Sequence, residues 1–332
     1  MKNIIFKIIA EIVYRLYILY NGALKSNTLN EIINRSESDT TTWRLIFDTA
    51  FRREINAYVI AYDAWEMRHS DDIFSNNPVF SQYEEEFHTF AKKQEYKNSG
   101  MTNTSLYILY SMIRHNKPQI FIESGTRNGY SSVFIAEALQ KNNNEAKMFC
   151  LSLFQGNEKD IAASALKTYE FVEIIEGYSE ESIDKIHAQY KESTIGMLID
   201  GPKARSKSWE ILVAKVSEYF PNLQFLAVDS AQEHVPYWRT NSEEFTNRGI
   251  NVERLKFVLA FQKMYKKIGF NLCIQSNQFS RKYQYLDDMV YEYRNKRWGK
   301  EIPYSPYNID RVSDHIAYSY KLAVAYKKGI FS

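Results

Sequence analysis

Cysteine is nearly absent from this sequence, which contains only two, Cys150 and Cys273. Each falls within a predicted strand, so we expect two small buried apolar residues rather than a disulfide framework or a metal site. This low cysteine usage is in keeping with a reducing, cytoplasmic compartment.

An excess of charge of one sign is also lacking. The chain has 42 basic and 40 acidic side chains and a formal net charge of +2. Such a balance generates no global field that would draw the protein to a polyanion. We therefore expect no nucleic-acid partner.

Long uncharged apolar runs are missing as well. Residues 4–24 are strongly apolar, but Lys7, Glu11 and Arg15 interrupt them at four-residue spacing, and the remaining run 16–24 is too short to span a bilayer. No cleavage site of a secretory signal follows. The segment predicts a helix that packs on its own domain or on a second subunit of a homo-oligomer. A helix lying peripherally on a membrane is the alternative, which its weakly cationic polar face disfavours.

The remainder of the N-terminal third is predicted to be a helical extension. Apolar residues recur at helical spacing over 42–65, and the chain then turns polar, with a breaker at 76–78 and three glutamates, Glu84 to Glu86, expected to be solvated. We place a domain boundary near residue 95, which divides the chain into residues 1–95 and 96–332.

From residue 100 onward strands and helices alternate, which predicts an α/β fold with parallel strands and ligands at their carboxyl ends. The predicted strands span 119–122, 147–153, 171–176, 195–199, 224–228, 270–275 and 317–326. The predicted helices between them span 104–113, 132–139, 159–169, 180–191, 207–220, 252–267 and 283–298.

A glycine turn follows the first of these strands. The apolar run stops at Glu123, passes through Gly125 and Gly129, and enters a helix. This spacing differs from the Gly-x-Gly-x-x-Gly of pyrophosphate-binding dehydrogenases and from the phosphate-binding loop that ends in Gly-Lys-Ser/Thr. Glycines here allow a tight turn and a close approach to a ligand.

The string over residues 123–131, Glu-x-Gly-x-x-x-Gly-Tyr-Ser, resembles motif I of the class I S-adenosylmethionine-dependent methyltransferases. Within that superfamily it looks like the small-molecule O-methyltransferases of the catechol and caffeoyl-CoA type and their bacterial relatives that modify sugars and metabolites. The resemblance implies a Rossmann-like, mostly parallel sheet with a late antiparallel strand. It also implies that the glycines face the methionine part of the cofactor and that the acid helps to fix the loop. The implied cofactor-binding residues are Glu123, Gly125, Gly129, Ser152, Gly177 and Ser179.

The same family places Asp-x-x-Lys after the fourth strand and Asp-Asn after the fifth. This chain has Asp200-x-x-Lys203 and Asp229-Ser230. The resemblance implies that Asp200 and Asp229 hold Mg²⁺ and that Lys203 takes the acceptor's proton. The residues alone leave alternatives open: the two acids bind backbone amides, or His234 is the base.

One departure concerns the cofactor's ribose. Where the family has an acid at the end of the second strand, this chain has Ser152, which makes one hydrogen bond in place of two charge-assisted ones. This leaves three possibilities: weak affinity, a substitute such as Glu158, or a domain that no longer methylates. Nearby, Tyr178 is a candidate to stack on adenine, and Arg127 is a candidate to contact a carboxylate.

These observations favour methyl transfer from S-adenosylmethionine to a hydroxyl of a small molecule or glycan. A non-catalytic, methyltransferase-like domain that binds a ligand or partner is the alternative that Ser152 favours. A third possibility is an enzyme of the same fold with another chemistry.

Overall fold

One seven-stranded sheet organises the part of the chain that the structure describes. This computed structural model describes residues 73–94, 101–142, 145–202, 207–233, 265–266, 268–275, 279, 282–283, 285–287 and 320–331. The strands lie in the order β3-β2-β1-β4-β5-β7-β6. Their bounds are β1 Ile120–Ser124, β2 Lys147–Ser152, β3 Val172–Glu176, β4 Ile195–Ile199, β5 Leu223–Glu233, β6 Phe270–Ile274 and β7 Tyr320–Lys327.

The pairing confirms the predicted fold class. Strands β1 to β5 pair in parallel, and β7 runs antiparallel to both of its neighbours, β5 and β6. Every residue of β1 and β4 is buried, as expected for central strands of a sheet that is covered on both faces. The predicted bounds of β4, 195–199, agree with the structure. Cys150 and Cys273 are buried and unbridged, in β2 and β6.

Strand β5 is longer than predicted. The sequence pattern ended this strand at residue 228, just before Asp229, whereas β5 continues to Glu233. The added residues pair with β7, because Gln232 lies opposite Lys321 after an irregularity in the ladder. Antiparallel pairing with a strand almost ninety residues away therefore decides this boundary, and Asp229 lies within the strand rather than at its end.

Helices flank the sheet on both faces and enclose one apolar cluster on each face. Among the described residues the helices are α1 Ile73–Asn76, α2 Val79–Gln82, α3 Glu84–Ala91, α4 Asn103–Asn116, α5 Tyr130–Lys141, α6 Glu158–Leu166, α7 Ser179–Tyr190 and α8 Lys207–Tyr219. Predicted helix ends differ from these by a few residues, since end turns carry little periodic signal.

Residues 73–94 form three short helices where the sequence predicted a polar stretch. Phe74, Phe80 and Phe87 are buried in the same cluster as α4. Glu86, expected to be solvated, is only partly so: its side chain is 32% exposed, and its carboxylate accepts a hydrogen bond from Arg114 Nε at 2.8 Å and another from the Tyr110 hydroxyl. Burial alone would raise the pKa of Glu86, but these donors lower it overall. The domain boundary near residue 95 stays a prediction.

Several predicted elements lie outside the described residues. They include the apolar segment 4–24, the helix over 42–65 and most of the helices over 252–267 and 283–298. In the portion of the chain that is described, no helix is long and apolar enough to cross a bilayer. Membrane contact and self-association through residues 4–24 stay predictions.

Replacement of Phe87 by alanine tests the packing of α3. The ring is fully buried, with centroids 5.2 Å from Tyr107, 5.5 Å from Tyr110 and 5.4 Å from Phe134. We expect Phe87→Ala to lower the free energy of unfolding by about 3–5 kcal/mol, measured by urea denaturation. In the same helix, Glu85→Ala at an exposed position should change it by less than about 0.5 kcal/mol. Equal effects of the two changes would contradict the packing.

Candidate functional site

The glycine loop after β1 packs tightly against the loop after β4. Gly125 has φ +99°, and a Cβ on it would lie 2.3 Å from the Gly201 nitrogen and 2.9 Å from the Asp200 carbonyl carbon. Both distances are far below van der Waals contact, and the backbone atoms concerned have little room to move. Glycine is therefore required here by the approach of two protein loops, and not only by the approach of a ligand.

Ser124, the last residue of β1, holds these loops together. Its carbonyl oxygen accepts hydrogen bonds from the backbone nitrogens of Asp200 at 2.8 Å and Gly201 at 2.9 Å. Its hydroxyl bonds the Gly201 carbonyl oxygen and lies 2.7 Å from the Ser179 hydroxyl oxygen. One residue thus joins the end of β1, the loop after β4 and the start of α7.

The acid of the motif, Glu123, lies beneath the loop rather than on its surface. Its side chain is fully buried and accepts hydrogen bonds from Thr126 at 3.0 Å, from Ser131 at 2.5 Å and from Ser132. Burial raises the pKa of the Glu123 carboxyl, although the three hydroxyl donors oppose the rise. The contacts tie β1 to the loop and to the first turn of α5, a geometry that suits the implied role of the acid in fixing the loop.

The second glycine of the motif, Gly129, faces protein. It has φ +78°, and a Cβ there would lie 3.2 Å from Ala162 Cα in α6. The structure therefore uses this glycine for the close packing of α6 on the loop. Neither Gly129 nor Glu123 lines the cavity described next.

A cavity of about 480 Å³ opens at the carboxyl ends of β1 to β4. Five of the residues predicted from sequence for cofactor or metal contacts come together in its wall. They are Gly125, Ser152, Gly177, Ser179 and Asp200. Parallel strands place their carboxyl ends at one sheet edge, so residues distant in sequence converge there.

Other lining residues carried a weaker sequence signal. Leu153 and Tyr178 are large side chains that stay 54% and 52% exposed. The position of Tyr178 in the wall agrees with its candidacy for stacking. Leu153 is the last residue of the predicted second strand, whereas β2 ends at Ser152 and Leu153 lies in the cavity wall. Glu180 and Ser208 also line the wall and were not singled out by any motif.

Ser152 and Glu158 lie on one side of the cavity, joined by Arg127. The Arg127 backbone nitrogen donates to the Ser152 hydroxyl at 3.4 Å, and Arg127 Nε donates to Glu158 Oε1 at 3.4 Å. Glu158 Oε2 accepts a second hydrogen bond, from the Gln155 nitrogen at 3.0 Å. Arg127 itself has φ +49°, a conformation that is uncommon for a residue with a Cβ. Strained backbone of this kind is concentrated at functional loops.

The two predicted metal ligands occupy neighbouring strands. Asp200 lines the cavity, while Asp229 is 7% exposed and is not among the lining residues. Ile199 and Val228, the residues before them, are register partners. Among the described residues, however, no group of three or more His, Cys, Asp or Glu is arranged to hold a metal. The metal-binding roles of Asp200 and Asp229 stay predictions.

The two candidate bases, Lys203 and His234, lie outside the described residues. Pro202, which immediately precedes Lys203, lines the cavity. The roles of both bases stay predictions.

The burial of Glu123 leads to a prediction about how the free energy of unfolding depends on pH. Because folding raises its pKa, the protonated acid stabilises the folded state; this contribution is complete below the ordinary value of 4.5 and is lost as the pH rises toward the folded value. We therefore expect the unfolding free energy of Glu123→Gln, minus that of the native protein, to increase as the pH rises above 4.5. Urea denaturation across a pH series measures it. Glu85→Gln, at an exposed position, is the control and should show a smaller dependence. A pH-independent difference for Glu123→Gln would argue against this burial.

No protein-family model and no curated protein sequence matches the chain. Its structure is similar to that of a bacterial methyltransferase domain, with 10% identity and a TM-score of 0.43 over 68% of this chain and 98% of that one. It is similar to an O-methyltransferase from Bacillus cereus solved with S-adenosylhomocysteine (14% identity, TM-score 0.41, 77% and 95% of the two chains). It is also similar to an O-methyltransferase of tomaymycin synthesis from Streptomyces achromogenes that was solved with S-adenosylmethionine. That match has 13% identity and a TM-score of 0.42, and it covers 80% of this chain and 99% of the other.

The sheet itself carries the fold assignment. Five parallel strands are followed by two late strands, the last of them antiparallel to both of its neighbours, and this is the arrangement that the motif resemblance implies. The chain has the Rossmann-like fold of the class I methyltransferases.

Proposed function

We propose that the chain binds S-adenosylmethionine in the cavity at the carboxyl ends of β1 to β4 and transfers its methyl group to a hydroxyl of a small molecule or glycan. The observation that carries the proposal is the convergence of four of the six predicted cofactor residues in one cavity wall. These four are Gly125, Ser152, Gly177 and Ser179.

The size and lining of the cavity suit a nucleoside with a charged tail. Its volume of about 480 Å³ falls in the usual range of small-molecule pockets. Leu153 and Tyr178 supply exposed apolar and aromatic surface for a flat base. Arg127, Glu158 and Asp200 supply charges of both signs within the same wall.

The chemistry asks little of the protein beyond positioning and proton removal. The methyl sulfonium of the cofactor supplies an already activated methyl group. The chain must align an acceptor oxygen with it and take the acceptor's proton. We propose Lys203 as that base, on its place in Asp200-x-x-Lys203, with His234 as the alternative.

A non-catalytic binding domain is the second candidate, favoured by one observation, the serine at the end of β2. Such a domain would bind the nucleoside weakly or bind another ligand in the same cavity. Titration and turnover assays distinguish the two candidates, because the enzyme should bind S-adenosylmethionine tightly and methylate an acceptor, whereas the binding domain should not methylate any acceptor.

Calorimetric titration of the full chain with S-adenosylmethionine and S-adenosylhomocysteine tests the binding. We expect micromolar dissociation constants for the native protein. Leu153→Glu should weaken both by about tenfold or more, because an exposed apolar wall for the base becomes charged. Substitution of Gly125 is unsuitable for this purpose, since a Cβ there meets the Gly201 backbone and disturbs the fold.

Ile211→Glu is the matched control for this titration. Ile211 is also a large exposed hydrophobic residue, 38% exposed, but it lies in α8 and does not line the cavity. Its replacement should leave both dissociation constants unchanged. Absence of binding to the native protein at millimolar nucleoside would refute the proposed function. Equal effects of the two substitutions would show that the nucleoside does not bind in this cavity.

The assignment of the base is tested with radiolabelled methyl donor and a panel of hydroxyl acceptors. For an acceptor that the native protein methylates, Lys203→Met should lower kcat by about a hundredfold or more while the dissociation constant of S-adenosylhomocysteine stays the same. His234→Asn should have a much smaller effect on kcat. The reverse ranking would make His234 the base, and no turnover with any acceptor would favour the non-catalytic domain.

A further inference from the structure

The side of the cavity next to Ser152 contains a carboxylate that comes from a helix and not from a strand end. Glu158 is the first residue of α6 and follows Ser152 by a short loop. Its side chain is only 16% exposed, although it lines an open cavity. A carboxylate that is mostly covered and yet faces a cavity is placed to receive hydrogen-bond donors from a ligand.

Known contacts use only part of the acceptor capacity of this carboxylate. A carboxylate offers about four lone-pair positions. Gln155 occupies one of them on Oε2 at 3.0 Å, and Arg127 Nε approaches Oε1 at the long distance of 3.4 Å. The Gln155 contact anchors the side chain in place through the backbone of its own loop. The remaining positions are enough for two adjacent hydroxyl groups.

Arg127 shows that Glu158 and Ser152 belong to one subsite. The same residue donates from its backbone to the Ser152 hydroxyl and from its side chain to Glu158. Both acceptors therefore lie within the reach of one arginine at the mouth of the glycine loop. The Arg127 side chain is 59% exposed, so an arriving ligand can displace its weak contact with Glu158 at little cost.

The neighbouring acids fit this role less well. Glu176 is the register partner of Ser152, but it is 53% exposed, is paired with Lys159 at 2.8 Å and does not line the cavity. Glu180 lines the cavity from the first turn of α7, and no contact through Arg127 links it to Ser152. Of Glu158, Glu176 and Glu180, Glu158 is the one that lines the cavity and is linked to Ser152 through Arg127.

We infer that Glu158 accepts the hydroxyl groups of a ribose diol, with the Ser152 hydroxyl beside it, so that an acid on α6 performs the work for which the end of β2 has only a serine. The inference deepens the proposed function and depends on it. It also assigns the ligand class: a ribonucleoside whose 2′ and 3′ hydroxyls are both free, because a phosphate on either would meet the Glu158 carboxylate.

Titration of the full chain with S-adenosylhomocysteine and its 2′-deoxy and 3′-deoxy analogues tests this assignment. The native protein should bind the parent nucleoside at least tenfold more tightly than either analogue, because each analogue leaves a charged acceptor without its donor. In Glu158→Gln the parent should bind about tenfold more weakly and the ratio to each analogue should fall to about threefold or less. Thermal unfolding of each variant checks that it is folded.

Glu176→Gln removes the same charge from the neighbouring strand end and serves as the matched control. It should keep the native ratios between the dissociation constants of the two deoxy analogues and that of the parent nucleoside. Glu158→Asp keeps the charge but withdraws it by one methylene, and should lose discrimination as Glu158→Gln does; it replaces that variant if the glutamine protein does not fold. Tight native binding with unchanged ratios in the Glu158 variants would overturn the inference and leave the proposed function standing. Failure of the native protein to bind the parent nucleoside would overturn both.

Discussion

The backbone of Gly125 touches the backbone of Gly201, and the candidate site depends on this contact. A side chain at Gly125 would lie 2.3 Å from the Gly201 nitrogen, so only glycine lets the loops after β1 and β4 meet. Ser124 then bonds the loop after β4 through its carbonyl oxygen and lies in contact with Ser179 through its hydroxyl. These contacts hold Gly125, Asp200 and Gly201 together in the wall of the cavity.

The motif around Gly125 contributes both to the internal packing of the loop and to the wall of the cavity. Glu123 and Gly129 act inside the protein, one as a buried acceptor of three hydroxyls and the other as a packing surface for α6. The layer of helices behind the sheet supports the same loop. The hydroxyl of Tyr130, the first residue of α5, donates to Asn103 of α4 at 2.8 Å. Buried residues of helices α1 to α3 belong to the same apolar cluster as α4.

Local sequence patterns were sufficient to predict much of the fold. Alternating apolar runs and helical periods predicted the parallel half of the sheet, and β4 lies where it was expected. The loop that bears Gly125 was predicted from the order of strand, glycine turn and helix, because a tight turn favours glycine. Ser152, Gly177 and Asp200 were singled out by the family resemblance, and they converge on one cavity because parallel strands share a carboxyl edge.

The order of the elements and the position of the glycine loop could thus be predicted from the sequence, since both are recorded in short-range periodicity and spacing. Tertiary structure alone decided the rest. Strand β5 extends past Asp229 because β7 pairs with it, and Glu86 is only partly exposed because Arg114 packs beside it. Ser152 and Glu158 come together in one wall of the cavity, and Arg127 contacts both of them. Each of these outcomes is set by a partner distant along the chain, and no local pattern contains the identity of that partner.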